Sequence, residues 1–297
     1  MNAKADLAAR RAAIAEGQPE PVGLAGWILI ATRLAAIVLT LIVLVPLHYA
    51  FRIVRYGSPF PQLFLWLAAG IAGARVVRHG VPLRRDVFFI ANHISWIDIL
   101  AIAGASGTAF VAKAEEADIP VIGWLCRINR TIFVSRENRT GVAAQINSLR
   151  EALADNCSIT VFPEGTTTDG QSLLPFKTSL LRVLEPPPPG VLVQPILLDY
   201  GPQAEWVGWT GVESGLDNAF RVLKRWGRFK LHLHFLDPFD PAPHPGRKAI
   251  AAESRRRIEA ALIAALGKPL RPFGYDVGAV GFSAAKVEGL DSPAEPL

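Results

Sequence analysis

The chain has 297 residues, of which 51% are hydrophobic and only 19% charged, with a net charge of +5. A soluble domain is nearer one-quarter charged, so this balance argues against a wholly soluble protein and for contact with lipid. The two cysteines, Cys126 and Cys157, lack CxxC spacing, and a disulfide scaffold or cysteine-zinc site is poorly supported.

Residues 1–22 are Ala-rich, mixed in charge and end in Gly17, Pro19 and Pro21. They read as a frayed or interfacial lead-in and lack the pattern of a cleaved signal. Residues 24–47 (LAGWILIATRLAAIVLTLIVLVPL) are the most hydrophobic stretch. A spanning helix needs roughly 20 apolar residues. The segment is therefore expected to span or insert deeply, with Arg33 snorkelling to an interface and a kink at Pro46. A buried core helix, or one lying in a single leaflet, is the competing reading. The shorter run at 60–74 fits a re-entrant or interfacial helix. Arg52, Arg55, Arg75, Arg78, Arg84 and Arg85 follow the first segment, against Lys4, Arg10 and Arg11 before it. That bias places the rest of the chain in the cytoplasm of a cytoplasmic-membrane protein.

From Asp86 onward short apolar runs appear: VFFIA (87–91), AFVA (109–112), TIFV (131–134), SITVF (158–162), VLVQPILL (191–198) and KLHLHFL (230–236). Helix-period segments such as 141–154 and 247–266 separate several of them. The alternation predicts an α/β fold with a largely parallel sheet flanked by helices, preceded by N-terminal membrane-associated helices. LHLHF alternates strictly and reads as an edge strand with one wet face. The division expected is a lead-in with anchoring helices (1–85), a catalytic domain (86–270) and a loosely ordered tail (271–297).

Four local patterns carry chemistry. Asn92-His93-Ile94-Ser95-Trp96-Ile97-Asp98 follows an apolar strand. A carboxylate five residues after a His can fix its tautomer and leave the other ring nitrogen to act as a base. Five positions on an unbroken helix point about 140° apart, so His93 should sit in the turn before the helix. A capping Asn, a surface His and a helix-face Asp would give the same pattern. Phe162-Pro163-Glu164-Gly165-Thr166-Thr167-Thr168-Asp169-Gly170 also follows a strand. Its glycines allow close backbone approach and its N–H groups and hydroxyls could cradle an anion. An ordinary turn-rich loop fits it equally well. Strand 131–134 is flanked by Arg130 and, beyond its end, Arg136; such a cation can hold a phosphate or carboxylate. Pro195 inside an apolar strand marks an edge or a bulge.

In this order the patterns (HxxxxD, a strand followed by Arg, FPEGT, then V-x-P-I) resemble the glycerolipid acyltransferase family, over residues 86–198. The resemblance implies an O-acyltransferase that moves a fatty acyl group from acyl-CoA or acyl-carrier protein to the hydroxyl of a lysolipid, with no metal and no cofactor. It implies His93 as general base, with Asp98 as its partner. Asn92, Arg136, Glu164, Gly165, Thr166 and Lys177 then belong to the substrate site. Backbone donors would stabilise the oxyanion. No G-x-S-x-G elbow is present, in keeping with direct transfer.

Two departures stand out. Arg130 replaces the Gly that usually opens the second motif, and Thr167 replaces the phosphate-contacting Arg after EGT. The default acceptor is 1-acylglycerol-3-phosphate; the run EGTTTDG…LPFK also resembles members acting on lysophosphatidylcholine or lyso-ornithine lipid. Outside enzymes, a lipid-binding protein with a degenerate site is opposed by intact His93, Asp98 and Glu164. The basic stretch 221–230 has no aromatic-interleaved readout motif, so it reads as a face for anionic lipid rather than nucleic acid.

Overall fold

The structure is a computed structural model that describes residues 3–55, 57–134, 147, 149–151, 153 and 158–275. Arg136, Cys157 and most of the predicted helix at 141–154 lie outside the described residues.

Among the described residues, seven strands form one sheet in the order β1-β7-β6-β2-β5-β3-β4. The strands are β1 (Ala74–His79), β2 (Val87–Ala91), β3 (Ala109–Lys113), β4 (Ile132–Val134), β5 (Ile159–Val161), β6 (Leu192–Asp199) and β7 (Phe229–Phe235). All neighbours run parallel except β6 and β7. The fold is thus the expected α/β sheet, mostly parallel and flanked by helices. All five residues of β2 are buried, as a continuous apolar run in a central parallel strand should be.

Two apolar layers cover the sheet. One contains Phe89, Ile94, Ile97, Leu198, Tyr200, Leu231 and Leu233, with Ala101 and Ile102 of α4 (Ile97–Ser106) packed on them. The other contains Phe88, Ile90, Val193 and Leu197 under Ile250, Ile258 and Leu262 of the last helix (Gly246–Leu266).

Three sequence expectations change. The sheet begins before residue 86, because β1 pairs with β7 from Ala74 to His79. β7 is not an edge strand; it lies between β1 and β6. Its alternation of buried with half-buried or exposed residues fits a strand with one face that, among the described residues, no helix covers. The lead-in is not frayed: α1 (Ala3–Ala15) ends with the Ala15 carbonyl accepting from Val212 N at 2.8 Å, and Lys224 pairs with Glu20 at 2.7 Å.

Pro195 sits at a register step. Val193 bridges Phe239, whereas the ladder with β7 resumes at Ile196 opposite Phe235. Val193 N–H points to that side, so the proline lacks its donor where the ladder is broken, as a bulge position allows. Arg130 has φ +58° in the residue that follows α5 (Ile122–Ile128) and Asn129. Thr131 N bonds the Cys126 carbonyl at 2.9 Å, which makes a Schellman ending with Arg130 in its left-handed position. Glycine adopts that backbone without strain, which is the conformation the resemblance's Gly would supply.

The 31-residue α2 (Leu24–Val54) has a mean hydropathy of 2.7 in its most apolar window, with only 11% of that window buried. It folds back on α3 (Phe60–Ile71): Phe51 meets Phe60 edge-on at 5.8 Å, and Arg33 meets Ala72 at the other end. α3 in turn lies on α4, where a Cβ on Gly104 would stand 2.7 Å from Trp66 Cα. Only glycine permits that approach.

Arg33 does not snorkel into solvent. Its Nη1 donates to the carbonyls of Ala72, Val222 and Leu223 at 3.1, 3.3 and 3.0 Å. These are the last carbonyls of α3 and of the helix Gly215–Leu223, where a cation suits the negative helix ends. Arg33→Leu should lower stability by about 2–3 kcal/mol, discounted for partial exposure. Thermal unfolding in detergent checks this; a melting temperature equal to the parent's would contradict the clamp.

Candidate active site

His93 lies two residues beyond β2, and Asp98 lies in the first turn of α4. The turn between them brings the Asp98 carboxylate back beneath the imidazole. Its Oδ2 accepts from His93 Nδ1 at 2.8 Å, Ile94 N at 2.6 Å and Ser95 N at 2.9 Å. Its Oδ1 accepts from the Tyr200 hydroxyl at 2.5 Å. Asp98 is fully buried, and four donors converge on its carboxylate at a helix N-terminus. A carboxylate accepts only, so Nδ1 carries the proton and Nε2 presents a lone pair. The imidazole keeps 17% exposure, enough for a substrate hydroxyl to reach it. Burial, and then the adjacent Asp98 charge, push the Tyr200 phenol well above its ordinary range, so it remains a donor.

The FPEGT loop braces the base from its other side. The Phe162 ring stacks on His93 at 4.0 Å and 13° between planes, and Phe110 stacks behind Phe162. Glu164 Oε1 accepts from His93 N and Oε2 from Leu174 N, both at 2.9 Å. The His93 carbonyl accepts from Thr168 N at 2.7 Å and Thr168 Oγ1 at 3.1 Å. Burial pushes Glu164 up to about 8 against the pull of its two backbone donors. A carboxyl raised on folding makes the folded state bind its proton more tightly. Its effect on stability is therefore unfavourable as the pH rises from about 4.5 to about 8.

The sequence-derived substrate residues divide on inspection. Glu164 is buried and occupied by backbone donors, so it shapes the site rather than opening into it. Asn92 is likewise 1% exposed. Its amide donates to the Leu198 carbonyl and accepts from Leu198 N, at 3.0 and 2.7 Å. It rivets β2 to β6, and its burial keeps the amide turned into the sheet. Gly165 has φ +73°, and a Cβ there would stand 2.7 Å from Lys177 Nζ. The exposed Lys177 ammonium therefore lies against this glycine. Thr166 Oγ1 is buried without a hydrogen-bond partner. Thr167, where the resemblance implies an arginine, donates its hydroxyl to the Trp209 carbonyl, and Trp209 N donates to the Ile94 carbonyl at 3.0 Å. Arg271 also reaches this region, pairing with Asp169 at 2.8 Å, so the chain just after residue 270 is docked.

Sequence reasoning missed Tyr200 and the structural use of Thr168 and Trp209. No spacing along the chain links Tyr200 to Asp98; only the pairing of β6 beside β2 does so.

The chain is similar to known acyltransferases. The acyltransferase family model matches residues 74–199, which starts at β1 and ends with β6. A lyso-ornithine lipid O-acyltransferase from Rhodobacter capsulatus is 30% identical across 84% of this chain and 95% of the relative. A protein of the same name from Rhizobium meliloti is 32% identical across 67% of this chain and 73% of the relative. The crystal structure of a 1-acyl-sn-glycerophosphate acyltransferase from Thermotoga maritima superposes with a TM-score of 0.59, at 23% identity, over 80% of this chain and 95% of that one. It shares the fold. The His–Asp pair at the strand end, the loop that braces it and these likenesses together place the chain in the lysolipid acyltransferase family of membrane-associated enzymes.

Proposed function

We propose that the enzyme esterifies the hydroxyl of a lyso-ornithine lipid with a fatty acyl group from acyl-carrier protein or acyl-CoA. The observation that carries the acceptor is its similarity to enzymes named for that lipid. Thr167 supports it: where a phosphate-binding arginine would stand, this chain has a buried hydroxyl already bonded to Trp209. An ornithine headgroup offers a carboxylate and an ammonium and no phosphate. The exposed Lys177 ammonium beside Gly165 fits that carboxylate.

In the reaction His93 Nε2 takes the acceptor's hydroxyl proton as the oxygen attacks the thioester carbonyl. The tetrahedral intermediate expels the thiolate, and the imidazolium returns the proton to it. Asp98 holds the ring's orientation and stabilises its charged form. The chemistry draws on no metal or cofactor. The catalytic domain faces the cytoplasm in this reading, where both donors are made and where the arginines after α2 favour placement.

The second reading, 1-acylglycerol-3-phosphate as acceptor, is favoured by the same Lys177, since an ammonium also binds phosphate. Initial rates of purified enzyme on lyso-ornithine lipid, 1-acylglycerol-3-phosphate and lysophosphatidylcholine, each with both donors, separate the readings. The expected result is a kcat/KM at least about tenfold higher on lyso-ornithine lipid, a difference of about 1.4 kcal/mol. Equal or better turnover of 1-acylglycerol-3-phosphate would overturn the proposed acceptor.

A further inference from the structure

The uncovered face of β1 and β7 carries three histidines that acyl transfer does not use. β1 and β7 run parallel with His79 opposite His234 and Val77 opposite His232. Residues two apart on a strand share a face, and so do cross-strand neighbours. The backbone register alone therefore brings His79, His232 and His234 to one side. Leu231 and Leu233, which alternate with them, are buried in the layer that holds Ile94 and Ile97. The histidines thus face away from the layer that carries the catalytic dyad.

We propose that His79, His232 and His234 bind one divalent transition-metal ion of the zinc class. A ring nitrogen from each lies within 4.8 Å of the others, and His79 Nε2 is 2.8 Å from His232 Nδ1. That short contact needs one nitrogen protonated and the other bare. Two nitrogens on a tetrahedral zinc at about 2.0–2.1 Å each stand roughly 3.3 Å apart. The pair therefore has to open by only about half an ångström, with the shared proton moving to the far nitrogen of its own ring so that both imidazoles stay neutral. His79 is exposed and His232 and His234 half-buried, so an ion can enter from solvent.

Three imidazoles without a thiolate suit zinc or its neighbours and leave the fourth position for water. Asp199 stands opposite His232 on β6 and adds negative charge on the same face. Arg75 and Lys230, paired in register at the far end of the two strands, oppose a cation there, so binding rests on the neutral imidazoles. The ion would tie the edge strand β1 to β7. Through Gly73, which bonds Phe229 N, it would also steady the α2–α3 hairpin that leads into β1. It takes no part in acyl transfer.

The test uses full-length protein purified without an oligohistidine tag and stripped with chelator. Zinc is measured by equilibrium dialysis with metal analysis, alongside thermal unfolding and acyl transfer. The expected result is one zinc per chain, a higher melting temperature with zinc, and at least tenfold weaker binding in His79→Ala and in His232→Ala. Both variants should keep parental acyl transfer in metal-free buffer, which also reports that they are folded. His79→Ala, at an exposed edge, decides alone should His232→Ala fail to fold. No zinc bound by the parent, or equal binding by folded His79→Ala, would overturn the site. So would stabilisation by inorganic phosphate in place of zinc.

Discussion

His93→Ala is expected to lower acyl transfer by about 10²–10⁴-fold, the usual cost of removing a general base, with the fold retained. The imidazole is partly exposed and its main-chain contacts to Glu164 and Thr168 survive the substitution. Asp98→Asn should behave differently. It replaces an acceptor that serves four donors with an amide whose NH2 must face at least one of them. A buried donor left without its partner costs about 1–3 kcal/mol, so this variant should lose both activity and melting temperature. Steady-state rates and thermal unfolding of both proteins make the comparison. His93→Ala that keeps more than about a tenth of parental turnover lies outside the range for a general base, and the assignment would fall.

The dyad was legible because both halves are local. Seven residues (92–98) lead from the end of a strand through a turn into a helix, which leaves few ways to arrange a histidine and a carboxylate. The parallel sheet was legible for a related reason: VFFIA and SITVF are short, apolar and separated by helical spacing. What the chain order concealed was set by pairing over long separations. Tyr200 reaches Asp98 across 102 residues, and Arg33 reaches Leu223 across 190. A charge in an apolar helix reads locally as a snorkelling side chain, whereas here it closes two helix ends. Asn92 looked like a substrate ligand because it adjoins the base; its real partner is the backbone of a strand 106 residues away. The strict alternation of β7 misled for another reason. Alternation reports one uncovered face, and an interior strand can have one when no helix lies over it.

Thr167→Arg is expected to lower activity at least about 100-fold on every acceptor, including 1-acylglycerol-3-phosphate. Read from the motif alone, the substitution restores the family's phosphate contact and should improve use of that lipid. The structure gives the opposite sign. Thr167 is 2% exposed, and its hydroxyl is bonded to the Trp209 carbonyl. Trp209 N holds the Ile94 carbonyl, one residue from the base. An arginine adds several atoms and a charge to this closed position. Overpacking costs about 1–3 kcal/mol, and a buried unpaired charge costs several more. Either the loop shifts to expose the guanidinium, dragging residues 93–94 with it, or the fold loosens. A displacement of about 1 Å at a reacting group can cost 10²-fold in rate, so even the gentler outcome removes most of the activity. Rates on lyso-ornithine lipid and 1-acylglycerol-3-phosphate, with thermal unfolding beside them, decide the matter. A variant that folds at the parental melting temperature and gains activity on the phosphate lipid would mean that residue 167 faces the headgroup after all. The Thr167–Trp209–Ile94 chain of contacts would then not be what positions His93.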